Sequence, residues 1–550
     1  MIFATGRAWI EQGLDVERRA PRRPASGETW LAASDDPRAV ARASREGAGY
    51  GYLFPAGAAA ARPRADDDRR LSALAAAMAD PDMPGAGAPT ADAPGPVWAV
   101  FARIVAHDIC ALADLAPRGL RDPDAPRSAR GTEAALVNLR DGRFRLASVY
   151  EPDASPGPDA EHLARLMREP GAEARLRLDR LAQAHASHPG ADLPRMARVS
   201  GRAGRAGGAT GSAALIGDRR NDADLAVSQM HVALIRFHNR VVEWLVDAGG
   251  CPPEQLFDRA RRLTVLHAQW LALNAWLPRI CDPAVLDRVR RAGAPVFRRM
   301  VMRRRRERQG LGAGLCLGRP DAPLPAPLEA WCAAAWHFRS LERARYDLNP
   351  ARMRAPAELL RRSGGAWLEG GRLPADRAVD WSLWMDGAAS GPDAVALDTR
   401  LAPEPDFAQA QAARALRTLR RGRALNLPSA QDCLAGFART YSGLVRPLTS
   451  EALCGGHTGQ ALRDGLAERT PLFFYVLREA ETLGRGARLG PLGSALMAEA
   501  VIGALVCDPA SVWNTPGRGG GRWSPDLGAR PDGIVVDGLE AFFAAAGGGA

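Results

Sequence analysis

The residues of this chain best suited to chemistry are a few histidines set beside arginines. His107 lies in Phe101 to Ile109, FARIVAHDI, with Arg103 four residues before it. On a helix that spacing puts both side chains on one side. A cation so placed lowers the histidine's pKa and favours the neutral imidazole, the form a general base must have. Taken alone, His107 reads more readily as a core histidine on an apolar helix. A second pair, His337 and Arg339, stands in AAWHFRSLERARYDLN. An imidazole can ligate a metal; a guanidinium stays protonated and has no lone pair to give. Two residues span about 200° of a helix, so these two side chains are expected on opposite faces.

The elements that must position these groups are mostly helical. From Val227 to Val246 apolar residues recur at steps of three and four (Val227, Met230, Leu234, Phe237, Val241, Leu245), the stripe of an amphipathic helix. Similar patterns run through Phe257 to Leu277, Leu328 to Arg343, Phe407 to Leu425 and Pro471 to Leu483. Leu492 to Val506 is apolar almost throughout and is expected to be a core helix. Alternating strand patterns are scarce, and no internal repeat is visible. Residues 1 to 95 read as loop-rich, with one short helical piece near Leu71 to Met78. Proline- and glycine-rich loops are expected at Arg202 to Gly211 and Gly364 to Gly371.

Composition narrows the function classes. The eight cysteines form no CxxC pair, which argues against a zinc site and a disulfide scaffold and for free thiols in a reducing compartment. Neither an N-terminal signal segment nor an apolar run of about 18 residues is present, so a soluble, cytoplasmic protein is expected, with no membrane partner. The net charge of +11 comes from arginine alone, because the sequence holds no lysine. The sharpest basic run, Arg303 to Arg306 followed by Arg308, lacks interleaved aromatics on which bases could stack. A nucleic-acid partner is therefore not expected.

Three segments, in order along the chain, resemble the animal-type haem peroxidases, and in particular their bacterial branch. Ile216 to Arg240, IGDRRNDADLAVSQMHVALIRFHNR, resembles the family's GDxRNDEN...H...RxHNR stretch, Phe101 to Ile109 its distal-histidine helix, and Thr470 to Pro509 its C-terminal helices. DLPR at Asp192 to Arg195, Ala260 to Ile280, YDLNP at Tyr346 to Pro350 and RGRALNLPSAQD at Arg421 to Asp432 are weaker matches between them. The resemblance implies a mostly α fold, one large animal-haem-peroxidase-like domain with long loops over residues 96–545. It implies hydrogen peroxide and a small organic donor as substrates, haem b as cofactor and a role in the response to oxidative stress. Peroxide heterolysis needs a base to shift a proton and a fixed positive charge to steady the departing oxygen. The resemblance gives these roles to His107 and Arg220, with Arg103 where the family usually has glutamine.

Departures from the family pattern are as informative. Counting from Tyr346, the proximal histidine of the family falls on Arg339, which leaves His337, if a local bulge turns it, as the iron ligand. The carboxylates that form ester bonds to haem align with Ala106 and Ala223, so haem is expected to be held without covalent bonds. The asparagine that buttresses the proximal histidine aligns with Thr418. The calcium loop reads FRLASVYE, with Arg145 and Ala147 at ligand positions and only Asp108 kept, so calcium is not expected. Either the Arg145 guanidinium replaces the ion by pairing with Asp108, or it swings into solvent and leaves Asp108 to cap a neighbouring backbone amide. Two readings follow: a haem oxidoreductase with an altered proximal side, or a catalytically inactive pseudoperoxidase kept as a binding or partner protein.

Overall fold

A computed structural model describes residues 49–55, 66–79, 92–114, 128–151, 158–181, 191–195, 214–309, 322–360, 373–387, 395–401 and 408–547. The loops expected at Arg202 to Gly211 and Gly364 to Gly371 lie outside them. The long elements are helices: α1 (Asp67–Met78), α2 (Pro96–Ile109), α3 (Leu225–Ala248), α4 (Leu256–Leu271), α5 (Pro283–Ala292), α6 (Pro295–Gln309), α7 (Ala408–Ala424), α8 (Leu472–Thr482) and α9 (Pro491–Val506). Strands occur as short two-stranded pairs, such as Tyr50–Gly51 parallel to Ala326–Pro327 and Leu112–Asp114 antiparallel to Leu136–Asn138. The architecture is mostly α. Among the described residues no helix is long and apolar enough to cross a membrane.

The core forms around α9, whose residues Leu492 to Leu505 are all buried. A helix apolar on every side cannot face water, so it takes neighbours all round. Its two polar interruptions serve those neighbours: Glu499 accepts the backbone N–H groups of Val296 and Phe297, the first turn of α6, and Ser494 accepts that of Asp282 before α5. At Gly503 a Cβ would lie 2.3 Å from the Phe297 ring, so only glycine lets α6 approach this closely. Helix α1 packs along α7, and Tyr50, Tyr52, Leu71 and Leu74 join the same apolar cluster as α3 and α9. The described segments before residue 96 are thus part of the core, not an appendage to it.

The expected single helix over Leu328 to Arg343 is broken. A short helix, Leu328–Cys332, stops at Ala333 (φ −134°, ψ −68°), and a 3-10 segment, Ala334–Leu341, follows. The cause lies in two carbonyls that would have continued the helix. Cys332 O accepts Arg421 Nη2 at 2.8 Å and Trp331 O accepts Trp336 Nε1 at 3.0 Å, so the chain tightens instead. With 3.0 residues per turn, His337 and Arg339 stand about 120° apart rather than opposed. Helix α4 likewise passes through a π turn at Ala272–Trp276 before resuming at Leu277–Ile280.

Candidate active site

Helix α2 starts cleanly because Pro96 at its first turn needs no N–H acceptor and Gly95 precedes it in an extended conformation. Nearly every residue of α2 is buried, but Ala99, Arg103, Ala106, His107 and Cys110 are half-buried. They recur at helical spacing, so one stripe of an otherwise enclosed helix is only partly covered. His107 sits on that stripe. Its Nδ1 is 2.8 Å from Asn221 Oδ1. Burial, then the nearby Arg220 charge, drive its pKa down to about 3, with Arg103 adding a smaller push. The ring is neutral; an amide oxygen only accepts, so the ring proton is on Nδ1 and the lone pair on Nε2.

Arg220 lies in the 3-10 turn Arg219–Asp222. Its Nε and Nη2 bond the Asp218 carboxylate, Nη1 donates to Cys110 O at 2.8 Å and Nη2 to His107 O at 2.6 Å. The guanidinium therefore caps the carbonyl end of α2, where a cation is favoured. It lends its positive charge to the His107 environment while its hydrogen bonds are spent on the helix. Arg103 makes an ion pair with Asp224 Oδ2 at 3.2 Å and lies 5.8 Å from the Phe338 ring centroid. Asp224 also caps α3 through Ala226 and Val227 N–H. A cleft of about 40 Å³ between α2 and the 3-10 segment is lined by Ala99, Arg103, Asp224, Phe338 and Leu341. Arg195, from DLPR, ties this region down: its fully buried guanidinium binds Asp192 and Asp222 by two bonds each, at 2.8–3.0 Å.

On the 3-10 segment both candidate ligands are buried. His337 Nδ1 is 2.8 Å from Ala334 O and burial lowers its pKa to about 4. Burial keeps this ring neutral, and because a carbonyl can only accept, its proton is on Nδ1 and its lone pair on Nε2. Arg339 donates to Glu342 at 3.1 Å and lies over the Trp336 and Phe338 rings. The Thr418 hydroxyl bonds back to Arg414 O at 3.0 Å within its own helix and buttresses neither.

The Arg145–Asp108 ion pair is not formed. Asp108 accepts three backbone N–H groups, Arg145 and Leu146 at 2.7 Å and Ser148 at 2.8 Å, and so caps the short helix Ala147–Tyr150. Its valences are filled locally, and burial raises its pKa to about 6. The Arg145 guanidinium turns instead to Asp508 just after α9, with Nε to Oδ2 at 2.9 Å and Nη2 to Oδ1 at 2.6 Å. Among the described residues no cluster of three or more His, Cys, Asp or Glu side chains is placed to hold a metal ion. Asn221, His231 and Asp508 are the members of this neighbourhood that sequence reasoning did not single out. Asn221 and His231 both stood inside the GDxRNDEN...H...RxHNR segment; Asp508 gave no local signal.

The buried ionisable groups set a stability profile. Burial holds His107 and His231 near 3 and His238, His267 and His337 near 4, all below the unfolded 6.5. Their contribution is complete above about pH 6.5 and is lost as pH falls, because the unfolded chain then binds more protons. Asp108, Glu329, Asp398 and Glu479 are raised to about 6, 7, 7 and 8, so each costs progressively more stability as pH rises from about 4 up to those values, and no more beyond them. The opposing slopes cancel near about pH 6, where the melting temperature should peak. A melting temperature that climbs steadily from pH 4 to 8.5 would contradict this assignment.

The architecture matches peroxidase A from Dictyostelium discoideum with a TM-score of 0.53 at 11% identity, covering 86% of this chain and 90% of that one. Residues 159–301 match the family model described as animal haem peroxidase. Over that stretch the chain is similar to the animal haem peroxidases. A peroxidase-like protein of Margaritifera margaritifera is 33% identical over 82 residues, which is 15% of this chain and only 10% of that protein's length. A fatty acid alpha-dioxygenase of Arabidopsis thaliana gives a TM-score of 0.47 at 13% identity, covering 84% of this chain and 73% of that chain.

Proposed function

We propose that this protein is a haem-dependent oxidoreductase of the peroxidase type, reducing hydrogen peroxide with electrons from a small organic donor. The observation that carries the reading is His107: a neutral imidazole on the half-open stripe of α2, with its proton held at Nδ1 by Asn221. The donor set suits haem b. His337, neutral and anchored through Nδ1 to Ala334 O, has Nε2 to offer iron, which Arg339 does not. Ala106 and Ala223 carry no carboxylate, so attachment is non-covalent. Bound haem supplies the redox-active iron for cleaving the peroxide O–O bond. The chain's own part is proton handling: His107 Nε2 takes the proton from one peroxide oxygen and delivers it to the other, which departs as water. Two electrons from the donor and two further protons complete the reduction to two waters. Arg220 and Arg103, ion-paired with Asp218 and Asp224, hold the helix that carries His107 in place. The activity is assigned to residues 96–545 together with the packed segments at 49–55 and 66–79. Seven described cysteines are unpaired, which supports a reducing, cytoplasmic setting.

A second reading, a pseudoperoxidase kept as a binding protein, is favoured by Arg339. Counted from Tyr346, it falls where the resemblance puts the proximal ligand, and Glu342 and two aromatic rings hold it. Haemin titration separates the two. The wild-type chain should develop a Soret band with a histidine-ligand signature, lost in His337→Ala. A folded chain that gives no Soret band supports the pseudoperoxidase and ends the enzyme reading.

A further inference from the structure

Asn221 stands between two imidazoles. Its Oδ1 is 2.8 Å from His107 Nδ1, and its Nδ2 is 3.1 Å from Nδ1 of His231. His231 is wholly buried in α3, and its Nε2 has no hydrogen-bond partner among the described residues. A primary amide offers an acceptor on one arm and donors on the other, so the proton positions of the three groups are linked. With the amide oxygen facing His107, that ring is Nδ1–H and its Nε2 is bare. The amide NH2 then donates to His231, whose proton must sit on Nε2. With the amide turned over, His231 is Nδ1–H and His107 becomes Nε2–H, a donor that cannot accept a proton there. Burial keeps both rings neutral, so no doubly protonated ring breaks the link.

We propose that His231 is a positioning residue: acting through the Asn221 amide, it fixes His107 as the tautomer with its proton on Nδ1 and its lone pair on Nε2. The inference rests on the reading of His107 as a proton acceptor, but its test needs neither haem nor turnover. Only three groups take part, and His231 acts without touching His107.

The test is a long-range 1H–15N spectrum of the full chain labelled at its nine histidines, which types each ring nitrogen as protonated or bare. Signals are assigned by their loss in His107→Gln and His231→Leu. Wild-type His107 should be Nδ1–H and His231 Nε2–H. In His231→Leu the amide loses its preferred orientation, and His107 should shift to the Nε2–H form or a mixture. His231→Asn, whose side-chain oxygen can take the place of Nδ1 as acceptor, should restore Nδ1–H. Finding both rings Nδ1–H in the wild type overturns the relay, and that outcome is readable even if a variant fails to fold. An unchanged His107 signal in His231→Leu overturns it as well. A chain that shows the linked tautomers yet consumes no peroxide refutes the enzyme reading and leaves the relay standing.

Discussion

Exchanging His107 for leucine should slow peroxide consumption by roughly 10²–10⁴-fold, the usual contribution of a positioned proton acceptor, with haem uptake and melting temperature little changed. The size of the effect follows from the setting. No other neutral imidazole among the described residues lies on the half-open stripe of α2, and the arginines beside it are permanently protonated. The modest structural cost follows too. His107 is half-buried, and the variant loses one hydrogen bond to an Asn221 amide that keeps its bond to His231. Stopped-flow consumption of peroxide by the haem-loaded variant reads the ratio directly. A rate within a factor of a few of the wild type would remove His107 from the mechanism.

The second large effect is on stability. Asp508→Ala should cost about 3–5 kcal/mol, because it strips a buried acceptor from cations that stay behind. The Asp508 side chain is only 2% exposed and takes both arms of Arg145, with Arg143 Nε a further 3.7 Å away. Arg145→Met should cost less, on the order of 1.5–3 kcal/mol, because that guanidinium is partly in water and its loss leaves Asp508 still bonded to Ala510 N. Both are read from denaturant midpoints of the full chain. Added calcium should shift neither variant nor the wild type, since the Asp108 carboxylate already serves three backbone N–H groups. A calcium-dependent melting temperature would mean that this loop still binds the ion.

Long periodic segments were the legible part of the sequence. The stripe from Val227 to Val246 became α3 at Leu225–Ala248, and the apolar run Leu492 to Val506 became the buried α9. Such helices are decided by their own side chains. The break at Ala333 was not legible, because AAWHF suits an α or a 3-10 turn equally. The decision came from Arg421, 89 residues away, taking the Cys332 carbonyl. The site divides in the same way. His107 could be found because Phe101 to Ile109 resembles the distal-histidine helix, and Arg103 because it stands four residues before it. The hydrogen-bond partner of His107 lies across 114 residues, and that of Arg145 across 363. Sequence chemistry shows that a buried-side arginine needs a carboxylate; it does not say which one. Arg220 was recognisable as a cation near the site, but its use as the cap of α2 depends on where two backbone carbonyls end up.

The bond between Arg145 and Asp508 also has a meaning in time. Ribosomes deliver the chain from its amino end, so Asp108, His107 and the loop through Ser148 emerge long before the carboxylate that anchors the loop. At about 5–20 residues per second, the 363 positions between the two partners take on the order of 20–70 s to appear. Throughout that interval Arg145 has no Asp508 to hold, and α9, the helix around which the core closes, does not yet exist. The segments that carry His107 therefore wait, incomplete and in need of protection from aggregation, until α9 and Asp508 have been made. A stop codon shortly before residue 508 would release a chain in which every segment of the α2 neighbourhood is present and its anchor is missing.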